Sequence, residues 1–201
     1  MSKPNSLSRL AVVAFALLGS SGLSIIPAYA KELPGFSVNA YICKHRGTVT
    51  SIISKKDDFS QIILTKLTAD HFDQAGVRFK FPEGGVVFQS LTCSSERMAT
   101  KDFSGLHLLV RSKLDGVDQT FVTSFEDHKT AVKKNVCSFR FTPEDLGFPK
   151  KSVVKDMAIY LDADRFATLT LADIKLNGDI EPEYIVAPAE SNCDYSPGTK
   201  K

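Results

Sequence analysis

The sequence predicts an all-β protein, an antiparallel β-sandwich of about nine strands with one or two short helical turns. Three observations point there. Apolar residues recur at every second position in several short runs, turn-forming residues separate those runs, and no stretch holds helical spacing long enough to cross between parallel strands.

Residues 1–30 stand apart. Lys3 and Arg9 precede the apolar run at 10–18, and Ala28-Tyr29-Ala30 has the small-x-small pattern of a cleavage site, which is the layout of a secretory signal peptide. The run is shorter than the roughly 20 apolar residues that span a bilayer, so no membrane span is expected after cleavage. The expected organisation is a signal peptide at 1–30, a sandwich at 31–179 and an irregular C-terminal strap at 180–201 containing Pro182, Pro188 and Pro197. Lys and Arg total 25 against 23 Asp and Glu, and loss of Lys3 and Arg9 brings the charge near zero. A nucleic-acid partner, which calls for a basic face, is excluded on that ground.

The elements follow in order. Residues 49–54 and 61–68 are strand candidates with imperfect alternation. Asp70 to Gln74 can make one helical turn. Val77, Phe79 and Phe81 alternate with Arg78 and Lys80, and Glu83-Gly84-Gly85 can turn that strand into a partner at 85–91. Leu106, Leu108 and Val110 alternate with His107 and Arg111, with Leu109 breaking the pattern; Asp115-Gly116 then turns the chain toward a strand at 119–125. Cys137, Phe139 and Phe141 alternate with Ser138 and Arg140. Thr142-Pro143-Glu144-Asp145-Leu146 has an N-cap, a proline at the first helical position and acids in the first turn, so a single turn ended by Gly147 is expected. Met157, Ile159 and Leu161 alternate with Ala158, Tyr160 and Asp162. In the last strand Leu169 and Leu171 share one parity, and Ile174 and Leu176 the other. One extra residue at Ala172-Asp173, a β-bulge, lets all four face one core. Asn177-Gly178 ends the strand.

Cys43, Cys93, Cys137 and Cys193 are even in number and lack CxxC spacing, so two disulfides are expected rather than a redox motif or zinc knuckle. Three pairings are open. Cys43–Cys193 with Cys93–Cys137 is favoured, because the first and last cysteines flank the strands and sandwich termini lie close together.

The segments DFSGLHLLVRSKLDG, CSFRFTPEDLGF and VVKDMAIYLDADRFATLTLADIKLNG, between Asp102 and Gly178, resemble the galactose-binding-like jelly-roll superfamily. That superfamily includes many carbohydrate-binding modules and the domain of the complex I intermediate-associated protein. The resemblance implies a jelly-roll sandwich, a glycan ligand by analogy, and a structural calcium ion at a final-strand acid, which Asp173 matches. Asp162, Asp164, Asn177 and Asp179 are further oxygen donors near it in sequence. No other cofactor is expected. The chain departs from such modules in having no Trp, the usual flat platform for a sugar ring.

Tyr160, His107, Arg111 and Arg140 lie opposite the core residues in parity. If their strands share a sheet, they make a polar face with one aromatic tile, suited to a hydroxyl-rich or carboxylated ligand. No HExxH or, after residue 30, GxSxG occurs, and acid pairs such as Asp57-Asp58 are adjacent rather than across a cleft. The function expected is therefore an exported, non-catalytic binding module, periplasmic or secreted, recognising a glycan or other polar ligand. The runner-up is a secreted structural or protein-interaction domain whose flat sheet or edge meets a partner chain.

Overall fold

The computed structural model describes residues 35–56, 59–68, 70, 72–96, 103–114, 116–133, 135–150, 152–162 and 167–194. All of them belong to the unit Glu32–Lys201. The signal-peptide reading at 1–30, the turn residue Asp115 and the suggested calcium donor Asp164 lie outside the described residues.

Among the described residues thirteen strands form where about nine are expected from the pattern. They are β1 (Ser37–Cys43), β2 (Val49–Lys56), β3 (Phe59–Lys66), β4 (Gln74–Lys80), β5 (Val86–Val87), β6 (Leu91–Glu96), β7 (Leu106–Leu114), β8 (Val117–Ser124), β9 (Lys129–Lys133), β10 (Val136–Phe141), β11 (Val153–Leu161), β12 (Ala167–Leu176) and β13 (Glu183–Ser191). A seven-stranded sheet runs β13-β1-β4-β11-β7-β8, with β5 also on β11; a six-stranded sheet runs β2-β3-β12-β6-β10-β9. The two stack as an open sandwich of the expected jelly-roll kind.

Alternation builds the core as expected. Val77 and Phe79 of β4, Leu106, Leu108 and Val110 of β7, and Met157, Ile159 and Leu161 of β11 point inward. They meet Ile62 and Leu64 of β3, Phe139 and Phe141 of β10, and Leu169, Leu171, Ile174 and Leu176 of β12. Phenyl rings fill the middle, with Phe125 against Phe139 and Phe141 at 5.0 and 4.8 Å in edge-on geometry. Leu109, the residue that breaks the alternation of β7, lies on the outer face of its sheet. There it joins Tyr41, Ala158 and Tyr160 in a second, small apolar cluster.

Several segments differ from the sequence reading. Residues 85–91 do not form one strand: β5 pairs with β11 in one sheet, and β6 pairs with β10 and β12 in the other. The chain changes sheets between them, held by Asn177, whose Oδ1 accepts from the Gln89 and Ser90 amides and whose Nδ2 donates to the Val87 carbonyl. The segment 180–201, read as an irregular strap, contains the regular strand β13. It pairs in parallel with β1, so the sheet is not wholly antiparallel; the register shifts between Ile185 and Glu190, and Pro188 is tolerated in that irregular stretch of an edge strand. β9, exposed along nearly all its length, carries no apolar alternation to reveal it. The 142–147 segment is a chain of turns that Gly147 ends at φ 73°. The helical turn among the described residues is instead a 3-10 turn at Phe125–His128, capped by the Ser124 side chain.

Cys43 and Cys193 are bonded as expected, closing a sequence separation of 150. The second expected bridge is absent: Cys93 and Cys137 are buried free thiols. Register explains it. Cys93 faces Phe139 and Cys137 faces Ser95, so the two cysteines are diagonal neighbours on β6 and β10. Diagonal Cα atoms stand about 7–8 Å apart, beyond a disulfide's reach.

Two tests follow from these contacts. Thiol titration is expected to find two reactive thiols in the unfolded, unreduced chain, and the Cys43→Ser/Cys193→Ser double variant is expected to lose about 2–5 kcal/mol in denaturant melts. Glu126 accepts from the Phe103 amide at 3.0 Å and pairs with Lys129. The Lys129 hydrogen bond holds the Glu126 carboxyl below its ordinary value of 4.5, with the Phe103 amide adding to the effect. A depressed carboxyl contributes stability above its unfolded pKa, and that stability drains as pH falls through the folded value. On acidification below about pH 4.5, the melting temperature of the wild type should therefore fall more steeply than that of Glu126→Gln.

Candidate functional site

The residues expected to share one polar face divide between the two sheets. Tyr160, His107 and Arg111 lie on the outer face of the seven-stranded sheet; Arg140 and Asp173 lie on the outer face of the six-stranded sheet. Strand parity is legible in a sequence, whereas sheet membership depends on long-range pairing.

On the first face, register aligns Tyr41, Gly76, Tyr160, His107 and Ser124 across five strands. The Tyr41 ring lies over Gly76 so closely that a Cβ there would stand 2.6 Å from it. The His107 ring stacks on Tyr160 at 5.3 Å, and its Nε2 meets Asp162 Oδ1 at 2.9 Å. Tyr160, expected as an exposed tile, is consequently only 4% exposed, and burial followed by the Asp162 charge pushes its phenol well above the usual range. Arg111 bonds Asp156 at 3.2 Å and donates to the Asp194 carbonyl, while Arg78 takes the other Asp156 oxygen at 3.3 Å. Around this row the aromatic and charged groups are spent on one another, while Asp118, Gln119, Thr120 and Lys155 line a hollow of about 210 Å³ beside Arg111 and Asp156.

The second face is different. β12 carries the expected bulge: Ala172 pairs with Ser94 and Lys175 with Thr92, so one extra residue is inserted. Asp173 sits there at φ 52°, a left-handed conformation that Asp adopts more readily than most side chains. The bulge turns Asp173 outward and Ile174 back into the core. Ser94 Oγ donates to Asp173 Oδ2 at 2.7 Å. From the core side, the Tyr184 hydroxyl accepts from the Ile174 amide; burial dominates and raises its phenol to about 12. On the far edge β9 has its own irregularity, with Ser138 opposite Ala131 and Phe139 opposite Lys129. The extra residue, Thr130, donates from Oγ1 to the Ser138 carbonyl at 3.2 Å.

Between the two bulges runs a groove of about 420 Å³. Thr92 and Ser94 of β6 and Ser138 and Arg140 of β10 floor it; Asp173 and Lys175 wall one side and Thr130 the other. Sequence reasoning found Arg140 and Asp173. It missed Thr92, Ser94, Ser138, Thr130 and Lys175, although Thr92 and Ser94 alternate with buried Leu91 and Cys93 in a way that a strand beginning at Leu91 makes plain.

Three of the donors suggested for calcium, Asp162, Asn177 and Asp173, have protein partners. Asp162 pairs with His107 on the other sheet, Asn177 is engaged with the backbone at Val87, Gln89 and Ser90, and one Asp173 oxygen is taken by Ser94. Among the described residues no three His, Cys, Asp or Glu side chains form a cluster able to hold a metal ion. The groove's lining offers hydroxyl, carboxylate, guanidinium and ammonium groups.

No protein-family model matches the sequence, and no curated protein matches it. Solved structures of similar architecture include the family 11 carbohydrate-binding module of a cellulosomal cellulase from Clostridium thermocellum, at 12% identity and TM-score 0.48, covering 73% of this chain and 89% of that one. A family 30 carbohydrate-binding module matches at 13% identity and TM-score 0.46, covering 78% of this chain and 87% of the module. A β-1,2-glucanase from Parabacteroides distasonis matches at 11% identity and TM-score 0.44, covering 79% of this chain and 23% of the enzyme. Likeness at this level carries no information about a ligand.

The bulge makes the groove testable through stability. Asp173→Gly relieves the left-handed conformation while losing the Ser94 hydrogen bond, and is expected to stay within about 1 kcal/mol of wild type. Asp173→Val keeps the conformation, adds a branched side chain and loses the bond. It should cost about 2 kcal/mol or more in urea melts.

Proposed function

We propose that this chain is an exported, non-catalytic binding module that takes a hydroxyl-rich ligand, a glycan, in the groove of its six-stranded sheet. The observation that carries the reading is the contrast between the two outer faces. One ties Tyr160, His107, Asp162, Arg111, Arg78 and Asp156 into mutual contacts and keeps a smaller hollow, about 210 Å³, beside β8. The other leaves Thr92, Ser138, Arg140 and Lys175, with one Asp173 oxygen, lining an open groove between two bulges. Donors and acceptors set on paired strands are held rigidly, which limits the ordering cost of binding. The disulfide joining residues 150 apart suits an oxidising compartment, periplasmic or extracellular. Among the described residues no helix is long and apolar enough to cross a membrane.

A second reading, a protein-interaction domain, is favoured by one observation. β8 and β9 are edge strands of the two sheets, joined in sequence by the 3-10 turn, and they expose Val117, Val122 and Val132. An exposed edge with apolar side chains can accept a strand from a partner.

A glycan array followed by calorimetry separates the readings. Wild type is expected to bind at least one glycan class, and Asp173→Asn, which keeps the backbone conformation and removes the charge, is expected to bind that glycan about tenfold more weakly. Silence across the array with capture of a single protein through β8 would establish the second reading instead.

A further inference from the structure

We infer that the groove on the six-stranded sheet recognises an acidic saccharide, through a carboxylate seated over Thr92 between Arg140 and Lys175. This rests on the binding-module reading and narrows its ligand. Register places Arg140 and Lys175 on either side of Thr92, one on β10 and the other on β12. Their backbones are two strand spacings apart, about 10 Å, and both long side chains can reach a single anion above Thr92. Arg140 is exposed and makes no ion pair among the described residues. Lys175 meets Glu181 at 3.5 Å, but both side chains are well exposed, and a surface pair of that kind is readily traded for a better partner.

A free guanidinium offers two parallel N–H donors that match a carboxylate, and the ammonium adds a point charge beside it. Thr92 supplies a hydroxyl from below. The groove is not simply basic, however. Asp173, raised by its bulge at the Ser94 end, keeps Oδ2 on Ser94 and turns acceptor capacity toward the groove. An inorganic anion would gain nothing from that acid. A sugar ring with a carboxylate at one end and hydroxyls at the other uses both: the cations take the carboxylate, while Asp173, Ser138 and Thr130 take hydroxyls. The ligand class that fits is a uronic-acid-type residue within an oligosaccharide.

The test is calorimetry of the full chain with oligogalacturonate and oligoglucuronate, against cello-oligosaccharide of the same length, at low and high salt. Tighter binding of an acidic oligomer, weakened by salt, is expected. Arg140→Ala should lose about tenfold or more of that affinity without a change in melting temperature, and Arg140→Lys should recover part of it. Equal binding of acidic and neutral oligomers, or acidic binding indifferent to Arg140→Ala, would overturn the acidic-ligand inference while leaving the module reading intact. Failure of every oligosaccharide to bind, here and on a wider array, would remove the module reading and this inference together.

Discussion

A strand that carries Leu169, Leu171, Ile174 and Leu176 cannot keep strict alternation and still bury all four. The extra residue at Ala172-Asp173 resolves the conflict, and much else depends on it. It returns Ile174 and Leu176 to the core beside β6. It frees a backbone amide at Ile174, which the Tyr184 hydroxyl from β13 meets across the interior. It also projects a carboxylate outward, where Ser94 steadies it at the wall of the groove. Core closure, the docking of the last strand and the polarity of one outer face thus share a single backbone irregularity.

Local pattern made that bulge legible, because its signature is a parity change within ten residues. The inward residues of β4, β7, β10 and β11 were legible for the same reason. Pairing was not. Arg140 has the same outward parity as Tyr160, yet their strands belong to opposite sheets, and nothing within either segment records this. Cys93 and Cys137 are both inward on neighbouring strands, and only their two-residue offset in register keeps them apart. The break inside 85–91 did leave a trace, since Val86 and Phe88 share one parity and Leu91 has the other. Edge strands β9 and β13 left little, because an exposed strand has no need of an apolar side.

The two outer faces show how similar compositions reach different ends. On the seven-stranded sheet, Gly76 lets the Tyr41 ring lie flat, His107 covers Tyr160, and Asp156 binds two arginines. Those side chains satisfy each other and pad the middle of the sheet from outside. On the six-stranded sheet Ser94 and Thr130 bond at the two bulges, and Thr92, Ser138 and Arg140 line the groove between them.

The Cys43–Cys193 bond closes a covalent ring around every strand from β2 to β13. Tension applied to the chain on either side of that bond passes through sulfur rather than through the hydrogen-bonded ladders. Only β1 lies outside the ring and can be peeled from its neighbours, so a stretched molecule would keep its groove, and whatever occupies it, after its first strand had come away.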